Sequence, residues 1–161
     1  MPPFVKPKVY IETTIVSYLI ARPSRDLIVA AHQQITREWW DLRRMEFDLF
    51  VSRLVIQEAS AGDQEAAQRR LAELDPILLL AFTEDALSLA GDLARRGILP
   101  ETAAANALHI AVAAVHGMDY LLTWNCRHIA NARMRHVVEA TCALRGYEPP
   151  VICTPEELMG D

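Results

Sequence analysis

Several segments of the sequence end in a polar side chain that could bind a metal ion. The first such residue is Glu12, which follows the apolar positions Val9 and Ile11 at the end of a short β-rich run. A carboxylate there is costly to bury unless a partner or a cation compensates its charge. Glu12 is therefore a candidate metal ligand. A helix-capping or salt-bridge role is the alternative.

Glu58 is the second acid in a suggestive position. It shares one helical face with Leu54 and Val55, so its carboxylate is expected on the side that packs inwards. A solvent-exposed glutamate without special function explains this segment equally well.

An alanine-rich segment places two further polar side chains one helical turn apart. Asn106 and His109 fall on a face beside the apolar stripe that contains Leu108 and Ala111. Small alanines allow such a helix to lie close to a sheet, so this face can reach a cleft. For His109 the favoured interpretation is a hydrogen-bonded histidine at the edge of the core.

The last group of polar residues follows the apolar run Leu121–Trp124. If a strand ends there, Asn125 and His128 lie at the same sheet edge as Glu12. Three arginines downstream form a local basic patch in an otherwise acidic chain: Arg127, Arg133 and Arg135. This patch could bind phosphate, and a solvated helix face is the alternative.

Short β-rich runs alternate with longer helical runs, which is the pattern of right-handed βαβ units and a mostly parallel sheet. The predicted strands are Lys8–Ile11, Asp48–Ser52, Ile77–Phe82 and Leu121–Trp124. The predicted helices are Ile15–Ala21, Asp26 to about Glu46, Ser52 to about Gly62, Asp63–Leu74, Glu84–Arg96, Glu101–His116 and Ala132–Arg145. The predicted capping residues are Thr13 or Thr14, Asp26, Ser52, Thr83 and Thr154, the last in a capping box with Glu157.

These elements indicate where a ligand would bind. Ligands of parallel sheets bind beyond the carboxyl ends of the strands, which is where the polar groups above are expected. The continuous apolar run Ile77–Phe82 is expected to be a strand covered on both faces.

Length and composition fit one α/β domain over residues 1–161, with residues 1–7 expected to form a flexible tail. With 21 acidic and 16 basic residues, the net charge of −5 argues against a protein that coats nucleic acid through a broadly basic surface. No apolar run is long enough to cross a bilayer, and Met1 to Lys8 lacks the apolar core of a signal peptide, so we expect a cytoplasmic protein without a membrane partner. The cysteines are expected to be reduced and packed as small apolar side chains: Cys126, Cys142 and Cys153.

Taken together, these motifs resemble those of the PIN-domain family, in particular the toxin ribonucleases of bacterial type II toxin–antitoxin (VapBC-like) pairs. The resemblance extends from Val9 to about Pro155. The matching motifs are a strand, an acid and two threonines at Val9–Thr14, Ser-x-x-x-x-x-Glu at Ser52–Glu58, x-A-L-x-I-A at Asn106–Ala111 and L-x-T-x-N at Leu121–Asn125. The resemblance implies a PIN-like three-layer α/β/α fold with a mostly parallel sheet of four or five strands.

The resemblance also implies a function, which is metal-dependent hydrolysis of RNA by an endoribonuclease with Mg²⁺ or Mn²⁺ as cofactor. The implied catalytic residues are Glu12, Glu58, Asn106 and Asn125, of which Glu12, Glu58 and Asn106 would bind the metal. The implied supporting residues are Thr13, Thr14, Thr123 and His128, and the implied phosphate-binding residues are Arg127, Arg133 and Arg135.

Two positions depart from the family pattern. The first acid is usually aspartate and here is Glu12, whose longer side chain can still reach a metal. The helix position usually held by aspartate in D-A-L-x-x-A is Asn106, which offers an oxygen without charge. Because the affinity of a site for a hard divalent cation follows the charge of its ligands, we expect Asn106 to impair the enzyme.

The alternatives lie in other functional classes. A PIN fold that has lost cleavage would act as a module that binds RNA or an antitoxin, and Asn106 favours that possibility. A nucleotide-binding α/β domain is disfavoured because the chain contains neither G-x-G-x-x-G nor a Walker lysine motif.

The expected partners are an RNA substrate, a small antitoxin and a second copy of the chain. The resemblance implies that the antitoxin would cover the cleft and an apolar groove. Three aromatic residues could line that groove or a dimer face, and burial in the core is the alternative: Trp39, Trp40 and Phe47.

Overall fold

The computed structural model describes residues 4–97 and 104–160. Strands and helices alternate along the described chain, as predicted. In chain order they are β1 (Lys8–Ile11), α1 (Thr13–Ile20), α2 (Leu27–Leu42), β2 (Asp48–Ser52), α3 (Arg53–Ala59), α4 (Gln64–Leu74), β3 (Leu78–Leu80), α5 (Glu84–Arg96), α6 (Ala104–Val115), β4 (Tyr120–Leu122), α7 (Ala132–Leu144) and β5 (Val151–Cys153).

The strands form one parallel sheet in the order β3-β2-β1-β4-β5. The chain adds strands in one direction from β1 to β3 and then crosses back to the other side of β1. The boundary between β1 and β4 is therefore the topological switch point, where the connections on its two sides diverge and leave a crevice. Glu12 directly follows β1 and Thr123 directly follows β4, so both residues lie at this crevice.

The helices form two groups that follow from the change of direction in the sheet. Helices α1 to α4 pack among themselves, as do α5 to α7. Because crossovers between parallel strands are right-handed, reversing the direction of strand addition moves the helices to the opposite face. The predicted three-layer α/β/α architecture is confirmed, with five strands. The fifth, β5, had not been assigned individually from the sequence.

Two predicted elements were too long. The second helix does not continue to Glu46, because α2 ends at Leu42 and a separate 3₁₀ turn covers Arg44–Glu46. The run Ile77–Phe82 supplies only the short strand β3 at the sheet edge, where Leu78 and Leu79 are exposed. Successive side chains of a strand point to opposite faces of the sheet, so the exposure of both Leu78 and Leu79 means that neither face of this edge strand is fully covered, and the expectation that both are covered was wrong.

Helix capping follows the sequence in part. Asp26 and Thr83 cap α2 and α5 through their side-chain oxygens, as predicted. The cap of α1 is Glu12 and not a threonine, since the helix begins at Thr13 and the Glu12 carboxylate accepts the Thr14 N–H. Ser52 makes no side-chain cap, because its hydroxyl bonds elsewhere.

The capping box near the end of the chain forms without its helix. Thr154 and Glu157 exchange the two expected hydrogen bonds, at 3.1 and 3.4 Å. Up to Gly160, where the described residues end, they are followed by turns and not by a helix. The capping interactions alone are therefore compatible with a short turn.

The two neighbouring tryptophans belong to the core. Trp39 is fully buried and its indole N–H donates to the Leu158 carbonyl at 3.1 Å, while Trp40 is almost fully buried. Phe47 stacks against Trp39 with ring centroids 5.7 Å apart. The core interpretation is therefore confirmed for the two tryptophans, which line neither an exposed groove nor an exposed dimer face, while Phe47 is partly buried and packs against the core.

Three remaining expectations concern the chain as a whole. The predicted start of α6 at Glu101 and the first residues of the predicted tail lie outside the described residues. None of the described helices combines the length and the hydropathy that crossing a membrane requires. The cysteines are free, and burial raises the pKa of Cys142 to about 11 and that of Cys153 to about 12. Cys126 is exposed, so the expectation that it packs as a small apolar side chain was wrong.

Candidate metal centre

Glu12 is held at the switch point through one of its two carboxylate oxygens. The residue is 4% exposed, and its Oε1 accepts hydrogen bonds from the Thr14 N–H at 3.1 Å, from the Thr14 hydroxyl and from the Thr123 hydroxyl at 2.7 Å. The Thr14 hydroxyl oxygen also accepts the Trp124 N–H at 2.8 Å, which ties the end of β4 to the start of α1. The two strand ends therefore fix one carboxylate together.

Glu58 is held in the same way from α3. Its Oε1 accepts the Thr13 hydroxyl at 2.7 Å and lies 2.7 Å from Nε2 of His109. Burial by itself would raise the pKa of Glu58, but the hydrogen bonds from His109 and Thr13 and the charge of His109 outweigh it and lower the pKa. The Glu58 side chain is therefore a carboxylate at neutral pH, although it is only half-buried.

The two carboxylates share a further property that suits a cation. Oxygen and nitrogen atoms of Glu12, Glu58 and His109 lie within 4.8 Å of one another. The described residues donate no hydrogen bond to Oε2 of either glutamate. No lysine or arginine of residues 4–97 and 104–160 forms a salt bridge with either one. Each carboxylate thus keeps one oxygen for a ligand and lacks a cationic partner of its own, apart from His109 when protonated.

His109 was expected at the edge of the core, and its contact with Glu58 was missed. The residue is 1% exposed. Its Nδ1 lies 2.6 Å from the Tyr10 hydroxyl, which lies 2.8 Å from the Ser52 hydroxyl. The helical spacing from Asn106 was the only signal in the sequence, while Tyr10 and Ser52 offered none because each is explained by strand burial or capping.

Asn106 and Asn125 form the neutral part of this region. The Asn125 amide donates to the Asn106 carbonyl oxygen at 3.2 Å, and the Asn125 carbonyl oxygen accepts the His128 N–H at 3.1 Å. The Asn125 backbone N–H donates to the Thr123 hydroxyl at 2.9 Å, and this hydroxyl bonds Glu12. The two asparagines are therefore connected to the carboxylates through Thr123 and along α6, on which Asn106 precedes His109 by one turn.

The arginines of the predicted basic patch are placed beyond this network. Arg127 lies in the turns after β4, and Arg133 and Arg135 lie in the first turns of α7. All three side chains are exposed. His128 contributes its backbone N–H to Asn125. Phosphate binding by the arginines stays a prediction.

Trp124 braces the strand end that carries Thr123 and Asn125. Its ring stacks on His32 at a centroid distance of 4.0 Å and an interplanar angle of 11°. Its indole N–H donates to the Thr36 hydroxyl at 2.7 Å. Helix α2 therefore fixes the end of β4, and with it the positions of Thr123 and Asn125.

Comparison with known proteins supports the architecture. No protein-family model and no curated protein sequence matches this chain. Among solved structures, the chain is similar to one in the crystal structure of VapBC2 from Rickettsia felis bound to a DNA fragment from their promoter, with a TM-score of 0.57. The match covers 91% of this chain and 98% of the other at 14% sequence identity. VapC is a PIN-domain toxin.

This chain has a PIN-like fold. The low sequence identity limits the comparison to the fold, so the chemistry depends on the residues of this chain. Glu12, Glu58 and His109 form a group that could hold a metal ion. The donor set fits such an ion, because Oε2 of Glu12 and Oε2 of Glu58 are hard anionic oxygens of the kind that Mg²⁺ and Mn²⁺ prefer.

Proposed function

We propose that this chain is a ribonuclease of the PIN type that uses Mg²⁺ or Mn²⁺ and acts as the toxin of a toxin–antitoxin pair, with an activity reduced by Asn106. The main support is the pair of carboxylates of Glu12 and Glu58: within residues 4–97 and 104–160, no hydrogen bond is donated to Oε2 of either one, and neither has an arginine or lysine partner. Two negative carboxylates this close repel each other. A divalent cation bound by both would offset this repulsion, so the pair attracts such an ion.

The metal would supply two effects when bound, which are a lower pKa for a bound water molecule and neutralisation of charge on the phosphate. The protein residues prepare for this chemistry. Thr14 and Thr123 orient Glu12, while Thr13 and His109 orient Glu58. Asn106 and Asn125 would contribute a carbonyl oxygen or an amide proton to the ion or to its water. The exposed arginines after β4 would bind the phosphates of the RNA on either side of the cleavage site.

Asn106 is the reason to expect weak activity. A third carboxylate on α6 would add attraction for the ion, whereas an amide contributes a dipole only. The amide of Asn125 donates to the Asn106 oxygen, so the pair is satisfied without any ion.

Asn106 also favours a second function, in which the chain is a PIN fold that binds RNA or an antitoxin without cleaving RNA. An antitoxin partner is supported by the likeness to a chain of VapBC2. An RNA substrate, a homodimer and a cytoplasmic location follow from the resemblance of the motifs and stay predictions. The buried tryptophans no longer support the dimer.

Cleavage of a generic single-stranded RNA by the native chain, Asn106→Asp and Asn106→Asp/Glu58→Gln, with and without Mn²⁺ or Mg²⁺, tests the proposal. Asn106→Asp is expected to accelerate metal-dependent cleavage on the order of 10²–10³-fold, the effect of restoring one charged group that stabilises the transition state. Glu58→Gln should abolish the gain.

The outcomes separate the two functions. Equal and robust activity in the native chain and Asn106→Asp would show that Asn106 does not impair the enzyme. No cleavage by any version, combined with retained RNA binding, would favour the binding module.

A further inference from the structure

A buried chain of polar groups leads from the sheet to the candidate metal centre. It connects the hydroxyl of Ser52, the hydroxyl of Tyr10, the imidazole of His109 and the carboxylate of Glu58, with successive distances of 2.8, 2.6 and 2.7 Å. Ser52 and Tyr10 are fully buried and His109 is 1% exposed. Burying a polar group costs free energy unless it forms a hydrogen bond. Each group in this buried chain therefore has to act as a donor or an acceptor to its neighbour, which gives the hydrogen bonds a common direction.

The direction follows from counting protons. Oε1 of Glu58 accepts the Thr13 hydroxyl and lies 2.7 Å from Nε2 of His109, a distance at which two acceptors would repel each other, so Nε2 carries a proton. In the neutral ring Nδ1 then accepts, and its donor is the Tyr10 hydroxyl. The Tyr10 hydroxyl has a single proton, and the contact with Nδ1 uses it. The Ser52 hydroxyl completes the chain by donating to the Tyr10 oxygen.

We propose that His109 is a positioning residue for Glu58, and that Tyr10 and Ser52 fix the imidazole for this task. The inference rests on the proposed function, because it assigns Glu58 as a metal ligand. His109 occupies Oε1 of Glu58 together with Thr13 and leaves Oε2 as the ligand oxygen. His109 is therefore not itself a ligand, although it lies within 4.8 Å of both carboxylates. Its Nε2 carries the proton donated to Glu58, and a contact of 2.7 Å leaves no room for an ion between them.

The first measurement asks whether His109 acts on the metal site. In the Asn106→Asp chain, Tyr10→Phe removes one hydroxyl and keeps the ring, while Tyr120→Phe is the matched control on β4. The Tyr120 hydroxyl makes no hydrogen bond to the described residues. We expect Tyr10→Phe to weaken Mn²⁺ binding by about 10–100-fold, as is typical when the partner of a ligand-orienting group is removed, and Tyr120→Phe to leave it unchanged.

Substitutions of His109 test the same contact directly. His109→Gln can still donate to Glu58 through its amide and is expected to retain more Mn²⁺ affinity than His109→Leu, which cannot donate. Equal affinities of these two variants, or an unchanged affinity in Tyr10→Phe, would overturn the inference. Circular dichroism and thermal unfolding of each variant establish that the loss is not a failure to fold.

Electron spin-echo spectroscopy of the Mn²⁺-loaded protein separates positioning from ligation. A positioning histidine gives no directly coordinated imidazole nitrogen signal. Such a signal that disappears in His109→Gln would make His109 a ligand and refute the assignment.

The imidazole can also be followed without any metal. In ¹⁵N-labelled native protein, the ring N–H of His109 is expected to exchange slowly with solvent, and in Tyr10→Phe to exchange faster on the order of tenfold, the equivalent of one net hydrogen bond. If the native chain and Asn106→Asp bind no Mn²⁺, the proposed function fails. Rapid exchange of this N–H in the native protein would instead overturn the polar chain itself.

Discussion

The carboxylate of Asp92 and the two carboxylates of the candidate metal centre differ in the cations that surround them. On α5, Asp92 is 14% exposed at its side chain and lies within 3.2 to 3.4 Å of nitrogen atoms from three arginines, Arg95, Arg96 and Arg145. The last of these belongs to the end of α7, so the network ties two helices together. A hydrogen bond from Arg145 is the main cause that lowers the pKa of Asp92, and the charge of Arg96 adds to it.

At the carboxyl edge of the sheet, the part of the chain that the structure describes supplies no such cations to the glutamates. Glu12 is bonded by one backbone N–H and two threonine hydroxyls, and Glu58 by one threonine hydroxyl and one imidazole. These donors orient a carboxylate, but apart from a protonated His109 they do not neutralise it. The protein therefore compensates the charge of Asp92 internally and leaves the charges of the two glutamates for a ligand.

The largest expected effect comes from removing one of the uncompensated charges. Glu12→Gln keeps a carbonyl oxygen for Thr14 and Thr123 but removes the charge. In the Asn106→Asp chain, we expect it to slow metal-dependent RNA cleavage on the order of 10²–10³-fold, the effect of losing a charged ligand at a catalytic ion. The measurement is the cleavage time course at saturating metal.

The matched control for Glu12→Gln is Asp92→Asn, which makes the same change of a carboxylate to an amide. It should leave cleavage unaltered. Equal losses in both variants would mean that the two carboxylate groups do not differ as the comparison requires.

An intermediate effect is expected on stability, because an ion that binds only the folded protein stabilises it. At a Mn²⁺ concentration about 100 times the dissociation constant, the gain is about 2.7 kcal/mol. For a chain of this size such a gain raises the unfolding midpoint by roughly 5–10 °C. The shift should appear in the Asn106→Asp chain and in its Asp92→Asn derivative and be absent from Glu12→Gln. A shift that survives Glu12→Gln would locate the ion elsewhere.

The smallest effect concerns pH and the Asp92 network. Because the folded protein holds the pKa of Asp92 below its ordinary value of 3.8, the charged form stabilises the fold at neutral pH, and this contribution is lost as the pH falls below 3.8 through the lowered pKa. Asp92→Asn should therefore have a slightly lower unfolding midpoint than the native chain at pH 7, and the difference should shrink in strong acid. A difference that grows on acidification would contradict this assignment. Added salt should also reduce the difference in unfolding midpoint between Asp92→Asn and the native chain, since the Asp92 network is at the surface and salt screens its charges.

The sequence determined the general architecture and most of the polar edge. Alternating strands and helices predict a parallel sheet, and an acid directly after a buried strand predicts a site at its carboxyl end, as Glu12 illustrates. The reason is local, since strand period, helix period and the type of residue at a strand end can all be read within a few residues. The sequence alone also showed that Asn106 stands where the PIN-domain pattern usually has a charged aspartate.

The tertiary structure decided how the carboxylates are held. Ser52 meets Tyr10 across 42 positions of the chain, Tyr10 meets His109 across 99, and His109 meets Glu58 across 51. Such contacts depend on strand register and on the rotation of α3 and α6 about their axes, neither of which a periodic pattern specifies. The same limit explains why Ser52 was assigned as a cap and Ile77–Phe82 as a covered strand. Their partners, or the lack of one at the sheet edge, are set by the order β3-β2-β1-β4-β5, which only the folded chain defines.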